Sequence, residues 1–363
     1  MTKTTLAVYG ASGFQGELVL AEIARRGIDC VPVGRDIGKL EAAVRRLTAT
    51  PSTSGMLDAS AAPVRTPRVA AVTDHAALVA AFQGVDVVIN CAGPFTPTGD
   101  RVVAAALAAG AHYVDTCGEQ LVLQHVYEKY AAAAESAGVT VVPAATDGGV
   151  PGDLLAHLLG QRLGPLDELT SVHRFGGDAA MSRGSLRTML GVAPTMVDGG
   201  LAYLDKAWRP GPFDPPARVP LPGETEPVAL VSFPLQEVVS VPRHLPVRTV
   251  RGAVEESTRA LFATPLTDDM IAALPVGPDP ARRAAGTWTI VLDAVAVDGR
   301  RARGVVSGVD TYGTTARTAV GAAVRLAAGP AAAGVLAPAQ AFDAAEFLAE
   351  LASSGVRWSI EER

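Results

Sequence analysis

The segment that most constrains the fold begins at Val8 and reads Val-Tyr-Gly-Ala-Ser-Gly-Phe-Gln-Gly. An apolar stretch with strand character precedes it, and an amphipathic stretch with helical spacing follows it. Each glycine suits a separate task. Gly10 permits a tight turn, Gly13 lets a ligand approach the backbone, and Gly16 lets the helix pack closely on the strand. The segment therefore predicts a strand, turn and helix whose positive N-terminus faces a nucleotide pyrophosphate. Because the spacing is GxxGxxG rather than GxGxxG, a turn without a ligand is the alternative.

Length and charge narrow the class of protein. The chain has 363 residues, which favours two domains over one core. Its formal net charge of −6 gives no basic surface, so a small-molecule substrate is expected rather than nucleic acid or an anionic membrane. The first residues lead directly into a strand, which leaves no room for a signal peptide, and we expect a cytoplasmic protein. The cysteines, Cys30, Cys91 and Cys117, are too few and too scattered for a disulfide framework or a zinc site, and no metal site is predicted.

The N-terminal part of the chain alternates apolar strands with helical stretches that end at glycine, as at Gly27, Gly110 and Gly138. This alternation predicts an α/β fold with a Rossmann-type, doubly wound parallel sheet. Pro32 counts against the second strand, because a proline removes a ladder hydrogen bond, but the strand is still predicted. The predicted strands are Thr5 to Tyr9, Ile28 to Val33, Arg68 to Val72, Val85 to Cys91, His112 to Thr116 and Val139 to Ala144.

The predicted domains are residues 1–150 for dinucleotide binding, 151–312 for an α+β substrate or dimerisation domain, and 313–363 for C-terminal helices that return to the first domain. A Pro-, Ser- and Thr-rich stretch from Thr48 to Pro67 is interpreted as a loop. In the second domain, Asp298 and Gly299 suit a tight hairpin turn between strands at Gly286 to Val297 and Arg301 to Tyr312. Helices are predicted at Thr314 to Ala328 and Phe342 to Leu351.

The end of the second strand indicates which dinucleotide binds. An acidic residue there holds the ribose hydroxyls of NAD, whereas a cation suits the 2′-phosphate of NADP. Arg35 follows the strand, and Lys39 lies one helical turn later, which favours NADP(H). Asp36 leaves NAD as the alternative, because its carboxylate could bind a hydroxyl pair.

The ends of the next strands carry further candidate residues, because ligands bind at the carboxyl ends of strands in open α/β sheets. After the fourth strand, small residues leave room for the backbone to lie against a cofactor. After the fifth, Asp115 and Glu119 could orient a substrate or relay a proton, although Asp115 could equally cap the following turn. No tyrosine has a lysine four residues on, which excludes the short-chain dehydrogenase signature. A nucleophilic role for Cys91 or Cys117, as in semialdehyde dehydrogenases, lacks an obvious histidine base.

Together these motifs resemble the saccharopine dehydrogenase-like oxidoreductases, which include trans-acting enoyl reductases. Weaker similarities occur later, as in Pro151-Gly152-Asp153-Leu154 and Asp310-Thr311-Tyr312-Gly313. The resemblance implies NADPH-linked hydride transfer to a C=N or C=C bond. The motifs that carry it are Tyr-Gly-Ala-Ser-Gly-Phe-Gln-Gly from Tyr9, Gly34-Arg35, Asn-Cys-Ala-Gly-Pro-Phe from Asn90, and Tyr-Val-Asp-Thr-Cys-Gly-Glu from Tyr113.

The resemblance also suggests roles for individual residues. The pyrophosphate would lie at Gly10 to Gly16, the 2′-phosphate at Arg35, and the nicotinamide beside Cys91 to Pro94. Thr146 to Val150 departs from the family pattern near the expected substrate pocket, which puts saccharopine itself in doubt as the substrate. The predicted cofactor-binding residues are Gly10, Ser12, Gly13, Phe14, Gln15, Gly16, Arg35, Lys39, Cys91, Ala92, Gly93, Pro94 and Cys117.

Hydride transfer needs few protein groups beyond those that position the reactants. The proton donor is predicted among Asp147, Glu119, Tyr312 and water. Asp115, Arg174 and Arg183 are candidates to hold the substrate, the arginines through a carboxylate or phosphate. His173 is expected to be an ordinary strand residue.

The leading hypothesis is an NADPH-dependent reductase of a small metabolite or biosynthetic intermediate, either free or attached to a carrier protein. The alternative is a non-redox catalyst such as a cyclase, or a binding protein, that keeps NADP(H) as a structural ligand. A third hypothesis is an interaction protein whose nucleotide site is vestigial. The long hairpin and the apolar C-terminal helices suggest a homodimer.

Overall fold

A computed structural model describes residues 4–49, 64–178, 180–211, 213–214, 218–262, 266–329 and 332–363. Most of the predicted loop from Thr48 to Pro67 lies outside these residues. The chain forms two compact units. The first comprises Met1–Cys117, His125–Thr146 and Thr315–Leu336, and the second comprises Gly118–Gln124, Asp147–Thr314 and Ala337–Arg363.

The strands are β1 Thr5–Tyr9, β2 Asp29–Gly34, β3 Arg68–Val69, β4 Val87–Asn90, β5 His112–Asp115, β6 Thr140–Val142, β7 Leu166–Gly177, β8 Leu201–Leu204, β9 Ala207–Pro210, β10 Arg218–Val219, β11 Val228–Ser232, β12 Val247–Glu255, β13 Gly286–Ala296, β14 Arg301–Val309, β15 Gly334–Val335 and β16 Arg357–Glu362. The helices are α1 Phe14–Arg25, α2 Ile37–Ala49, α3 His75–Phe82, α4 Phe95–Ala108, α5 Gln120–Ala137, α6 Gly149–Leu163, α7 Arg183–Val197, α8 Glu237–Ser240, α9 Glu256–Phe262, α10 Asp268–Ala273, α11 Pro280–Ala285, α12 Thr311–Ala327, α13 Pro338–Ala341 and α14 Ala344–Ser353, with a 3₁₀ turn at Val241–Arg243.

The first unit is built on a seven-stranded parallel sheet in the order β15-β6-β5-β4-β1-β2-β3. Helices connect its strands in sequence, as parallel pairing requires. The order 3-2-1-4-5-6 within this sheet is that of dinucleotide-binding folds, and its direction of winding reverses between β1 and β4. The predicted α/β class with a doubly wound sheet is therefore confirmed.

Register brings the carboxyl ends of the central strands to one edge of the sheet. Tyr9 pairs with Val33 on one side and with Asn90 on the other, and Asn90 in turn pairs with Asp115. These residues end or nearly end their strands. The loops that follow β1, β2, β4 and β5 consequently open on the same edge, which is where a ligand binds in such sheets.

Pro32 lies inside β2, and its position explains why the strand tolerates it. Carbonyl and amide groups of alternate residues point to the same side of a strand. The carbonyls of Cys30 and Gly34 accept hydrogen bonds from Arg65 and Ala70, on the side of β3. Pro32 faces this side too, where β3 is only two residues long and begins opposite Val33. The missing N–H group therefore costs no bond of the longer ladder with β1.

The C-terminal part of the chain divides between the two units. Residues Thr315–Leu336, which include most of α12, belong to the first unit, and β15 adds a seventh strand beside β6 that the sequence analysis did not predict. The last helix differs from the expectation that both C-terminal helices return to the first domain. The buried face of α14, with Phe347, Leu348 and Leu351, packs against α6 and β16 in the second unit.

The second unit is built on a mixed sheet in the order β10-β11-β12-β7-β13-β14-β16, with β8 and β9 attached to β12. Strand β7 pairs in parallel with β12 and antiparallel with β13. The predicted hairpin is β13 and β14, whose turn contains Asp298 and Gly299, the latter with a φ of 89°. Apolar residues such as Val172, Leu230, Ala253 and Val291 form a core cluster on this sheet.

Helix α6 packs on the second sheet and is tied to two other segments by one buried carboxylate. Asp153 is fully buried and accepts hydrogen bonds from His244 Nε2 at 2.9 Å and from the N–H of Ala339 at 2.9 Å. Burial by itself raises the pKa of Asp153, but His244 and the other donors lower it below its usual value.

Within the residues that the structure describes, no helix is both long and apolar enough to cross a membrane.

We expect Gly16→Ala to destabilise the protein by about 1–3 kcal/mol, as overpacking does. A Cβ on Gly16 would lie 2.2 Å from the carbonyl oxygen of Gly10, a backbone atom that a side-chain rotation cannot displace. Gly191→Ala is the matched control, because Gly191 lies in helix α7 with no atom near its added Cβ, so helix propensity should make it neutral or stabilising. Thermal unfolding measures both. Equal unfolding temperatures for the two variants would contradict the packing described.

Candidate functional site

The turn after β1 is held between two neighbouring strand ends. The N–H groups of Gly10 and Ala11 donate to the carbonyl of Val33 at 2.9 and 3.2 Å. Gly10 has a φ of 79°, and a Cβ there would lie 3.0 Å from the backbone nitrogen of Ala92. Position 10 therefore requires glycine for two reasons: its positive φ and the close approach of the loop after β4.

Helix α1 begins at Phe14 directly against this turn. Gly13 precedes the helix, is exposed, and offers no side chain to cap the first-turn N–H groups, which point out beyond the start of any α-helix. A Cβ on Gly13 would lie 3.2 Å from the carbonyl of Gly10, and one on Gly16 would lie closer still. The three glycines thus leave an open cradle at the positive end of a helix dipole, which fits a dinucleotide pyrophosphate. Ser12 and Gln15 are partly buried in the same segment.

The residues after β2 distinguish between NADP(H) and NAD as the cofactor. Asp36 precedes α2, and its Oδ1 accepts a hydrogen bond from the N–H of Lys39 at 3.0 Å, so that it caps the helix. Its Oδ2 also lies 3.9 Å from Lys39 Nζ. Arg35 is exposed and makes no hydrogen bond or ion pair with the residues that the structure describes. The carboxylate is therefore engaged while the guanidinium is open to a 2′-phosphate, which favours NADP(H) over NAD.

The loop after β4 is fixed by side chains of its own unit. Asn90 Oδ1 accepts a hydrogen bond from the N–H of Ala92 at 3.0 Å, and the Thr98 hydroxyl donates to the carbonyls of Ala92 and Pro94. Burial raises the pKa of the Cys91 thiol to about 12. At neutral pH this thiol is therefore protonated, which argues against the nucleophilic cysteine of a semialdehyde dehydrogenase. Cys117 is fully buried.

Asp115 joins three strand ends from a buried position. Its Oδ1 accepts hydrogen bonds from the N–H groups of Cys117 and Ala144, and its Oδ2 accepts one from the Tyr113 hydroxyl at 3.0 Å. Asn90 Nδ2 donates to the same hydroxyl at 3.0 Å. Burial, with Asp115 beside it, raises the pKa of Tyr113 well above its usual value. These bonds favour the capping role for Asp115 over contact with a substrate.

The predicted proton donors lie in the second unit, in different environments. Glu119 is buried, and Asp147 is partly buried. The hydroxyl of Tyr312 accepts a hydrogen bond from the N–H of Ser182 at 2.7 Å and lies 2.9 Å from Ser185 Oγ. Ser182 caps helix α7, so Tyr312 stabilises the start of that helix. This engagement weakens the case for Tyr312 as a proton donor.

Both arginines predicted to hold a substrate anion are engaged within the second unit. Arg174 forms ion pairs with Glu224 and, at 2.6 Å, with Glu255. The side chain of Arg183 donates to the carbonyl of Leu274 at 2.5 Å. The guanidinium of Arg174 is therefore already paired with carboxylates, whereas Arg183 uses only its Nε in the bond to Leu274.

One buried pair was not predicted. His173 Nε2 lies 2.7 Å from Glu237 Oε1, and both side chains are almost completely buried. The residues are 64 positions apart in the chain, so no local spacing joins them. The sequence did contain one sign of the pair. Glu237 is a carboxylate directly before the apolar residues Val238 and Val239, where a charged residue is unexpected.

Comparison with known proteins agrees with the geometry of the first unit. The family model that describes the saccharopine dehydrogenase NADP binding domain matches residues 6–142. A Caenorhabditis elegans protein named lipid droplet localized protein is 32% identical over 163 residues, which are 44% of this chain and 37% of that one. A mouse saccharopine dehydrogenase-like oxidoreductase is 29% identical over 160 residues, covering 41% and 35%.

A Mycobacterium tuberculosis protein provisionally named trans-acting enoyl reductase is 31% identical over 198 residues, covering 52% of this chain and 44% of that one. The chain thus spans less than half the length of these curated relatives. Among solved structures, the apo saccharopine dehydrogenase (L-Glu forming) of Saccharomyces cerevisiae matches 99% of this chain and 100% of its own, with a TM-score of 0.57 and 15% identity. That likeness shows a shared fold.

The glycine turn, Arg35 and the helix-capping Asp36 all lie within the matched residues. The cofactor of this domain is NADP(H). The resemblance found in the sequence is confirmed for this part of the chain. Residues 6–142 match the saccharopine dehydrogenase NADP binding domain, and over this part the chain is similar to saccharopine dehydrogenase-like proteins.

Proposed function

We propose that the protein is an NADPH-dependent reductase that transfers a hydride to a C=C or C=N bond of a small metabolite or biosynthetic intermediate. The observation that carries the proposal is Arg35, which is exposed and makes no hydrogen bond or ion pair within the described residues, while the neighbouring Asp36 is already used as the cap of α2. A redox role is supported by the names of the relatives, which are oxidoreductases and an enoyl reductase. The proposal includes a cytoplasmic location, a homodimer, and a substrate either free or attached to a carrier protein.

The second unit supports C=C reduction beside a neutral carbonyl over reduction of an imine between amino acids. An amino-dicarboxylate substrate carries several carboxylates, for which arginine is the usual partner. Arg174 and Arg183, the arginines selected for that task, are bound to carboxylates and to a backbone carbonyl of their own unit. A substrate such as an enoyl thioester needs no such partner.

The residues of the first unit would hold the cofactor and keep its surroundings rigid. The glycine turn would receive the pyrophosphate and Arg35 the 2′-phosphate, while Thr98 and Asn90 fix the loop after β4. Bound NADPH supplies a hydride, and hydride transfer depends mainly on how the two reactants are positioned. The bonds of Asp115 hold the ends of β5 and β6 in place for that purpose.

The direct test is loss of the near-ultraviolet absorbance of NADPH on addition of a candidate acceptor. The acceptors are a 2-enoyl pantetheine thioester and, separately, a mixture of a 2-oxo acid with an amine that forms an imine. We expect consumption with the thioester. A product formed from either acceptor while NADPH stays unchanged would instead support the non-redox catalyst, because such a catalyst leaves the nicotinamide intact.

We expect Arg35→Ala to weaken NADPH binding about 10- to 100-fold, the equivalent of about 1.5–3 kcal/mol for hydrogen bonds to a charged group. NADH lacks the 2′-phosphate, so its dissociation constant should hardly change. Isothermal calorimetry measures both. Arg45→Ala is the control, because Arg45 is an exposed arginine on α2 whose partner among the described residues, Glu41, lies 3.7 Å away. Equal losses for NADPH and NADH would contradict the role of Arg35.

We expect Cys91→Ser to retain NADPH consumption within a few-fold of the unmodified chain. Because burial raises the pKa of Cys91 to about 12, the thiol stays protonated at pH 7 and is a poor nucleophile. Steady-state rates with the same acceptor decide the matter, and thermal unfolding checks that the variant folds. Abolished turnover in a folded variant with normal NADPH affinity would restore the nucleophilic-cysteine hypothesis.

A further inference from the structure

We propose that strand β16 is the dimer interface, and that it pairs antiparallel with β16 of a second copy of this chain so that the sheets of the two second units become one. The inference rests on the homodimer included in the proposed function, and it deepens that proposal by naming the surface and the register. In this register Ser359 lies opposite the partner's Ser359, on the twofold axis.

Strand β16 forms an edge of the second sheet. It pairs with β14 over six consecutive residues, Arg357 to Glu362, and no described strand pairs with its other side. The strand at the opposite end of the sheet, β10, has two residues. An edge as long as β16 exposes a row of backbone N–H and C=O groups, to which another strand can add.

The backbone hydrogen bonds show which residues of β16 face the open side. The N–H of Arg363 donates to the carbonyl of Arg301, in β14, at 2.9 Å. Because the backbone groups of alternate residues point to the same side of a strand, the odd-numbered residues of β16 bond to β14. Trp358 and Ile360 therefore present their N–H and C=O groups outward. A long bond of 3.5 Å from Arg162 Nη1 to the carbonyl of Ile360 agrees with this direction, and a strand N–H group would replace it.

The strand lacks three common features that keep edge strands from pairing, which are lysine, proline and a β-bulge. It reads Arg-Trp-Ser-Ile-Glu-Glu from Arg357, and its register with β14 is unbroken. Trp358 and Ile360 are half-buried on one face, whereas Arg357, Ser359 and Glu361 are exposed on the other. A partner strand can therefore match an apolar face with an apolar face and a charged face with a charged face.

Charge selects the register of the pair. When Trp358 lies opposite the partner's Ile360, the outward backbone groups of both residues are bonded. Arg357 then lies opposite the partner's Glu361, and by symmetry the same ion pair forms a second time. Neither Arg357 nor Glu361 makes a side-chain hydrogen bond or ion pair with the described residues, so both charges are open to a partner.

The two neighbouring registers fit less well. With Ile360 opposite the partner's Ile360, Arg357 would face the partner's Arg363, and like charges directly opposite are destabilising. With Trp358 opposite the partner's Trp358, Arg357 would face the partner's Ser359 and both ion pairs would be lost. The register centred on Ser359 is therefore the one that the side chains favour.

Sedimentation velocity of the full chain tests the surface by exchange of its charges. We expect the unmodified chain to dimerise. Arg357→Glu and Glu361→Arg should each weaken dimerisation about 10-fold, because each turns attractive pairs into repulsive ones, and the double variant should recover the affinity. Glu362→Arg is the matched control, because it makes the same change of charge one residue away and faces no charged residue of the partner in this register. Thermal unfolding verifies that each variant folds.

A disulfide tests the register. Directly opposed residues of this kind have Cα atoms about 4.5 Å apart, which lies within the range of a disulfide. We therefore expect Ser359→Cys to give a covalent dimer under mild oxidation, seen by electrophoresis without reductant. Glu362→Cys is the control, because its Cα would lie about 20 Å from that of its copy, at about 3.4 Å per residue.

Two results would overturn the inference. One is a chain that stays monomeric at every soluble concentration, which would leave this edge to a strand of another protein. The other is a dimer that no charge variant weakens and that does not cross-link through position 359. Neither readout uses turnover. NADPH consumption by a chain without this dimer leaves the reductase standing, whereas a cross-linked dimer that consumes no NADPH supports the interface and counts against the proposed reductase.

Discussion

The close approach of helix α1 to the turn after β1 is the constraint on which the first unit depends. Gly16 meets the carbonyl of Gly10 so closely that no Cβ fits, and Gly10 is itself held against Ala92 and bonded to Val33. One turn therefore joins the ends of three neighbouring strands. Because those strands are parallel and in register, the positive end of α1 and the guanidinium of Arg35 lie on one edge of the sheet. The affinity for a phosphorylated dinucleotide follows from this arrangement of backbone and charge.

Buried carboxylates of this chain differ in how completely they are hydrogen-bonded. Asp115 has all its hydrogen bonds satisfied by backbone N–H groups and by Tyr113, which suits a group that only fixes loops. Asp153 is satisfied in the same way. Glu237 differs from these two, with one oxygen unpartnered within the described residues and the other bonded to His173.

The sequence was sufficient where periodicity and local spacing determine structure. It predicted the parallel sheet, the glycine turn, the cation at Arg35 and the hairpin at Asp298 and Gly299, because each depends on neighbouring residues. It could not decide whether Asp36 binds a ribose or caps α2, since both roles need a carboxylate at that position. It also missed β15, which is two residues long and gains its place only by pairing with β6. The ion pairs of Arg174 and the contact of His173 with Glu237 join residues far apart in the chain, and no pattern within one segment reveals them.

The measurement that tests the account most directly is hydrogen–deuterium exchange of the full chain with and without NADPH. The account predicts that NADPH slows exchange of the amides from Gly10 to Gly16, of the segment at Arg35, and of the loop from Cys91 to Pro94. It predicts weaker protection by NADH at Arg35. Saturating NADPH that leaves the glycine turn unprotected, or that protects only segments away from these strand ends, would contradict the central claim that this edge of the sheet binds the cofactor.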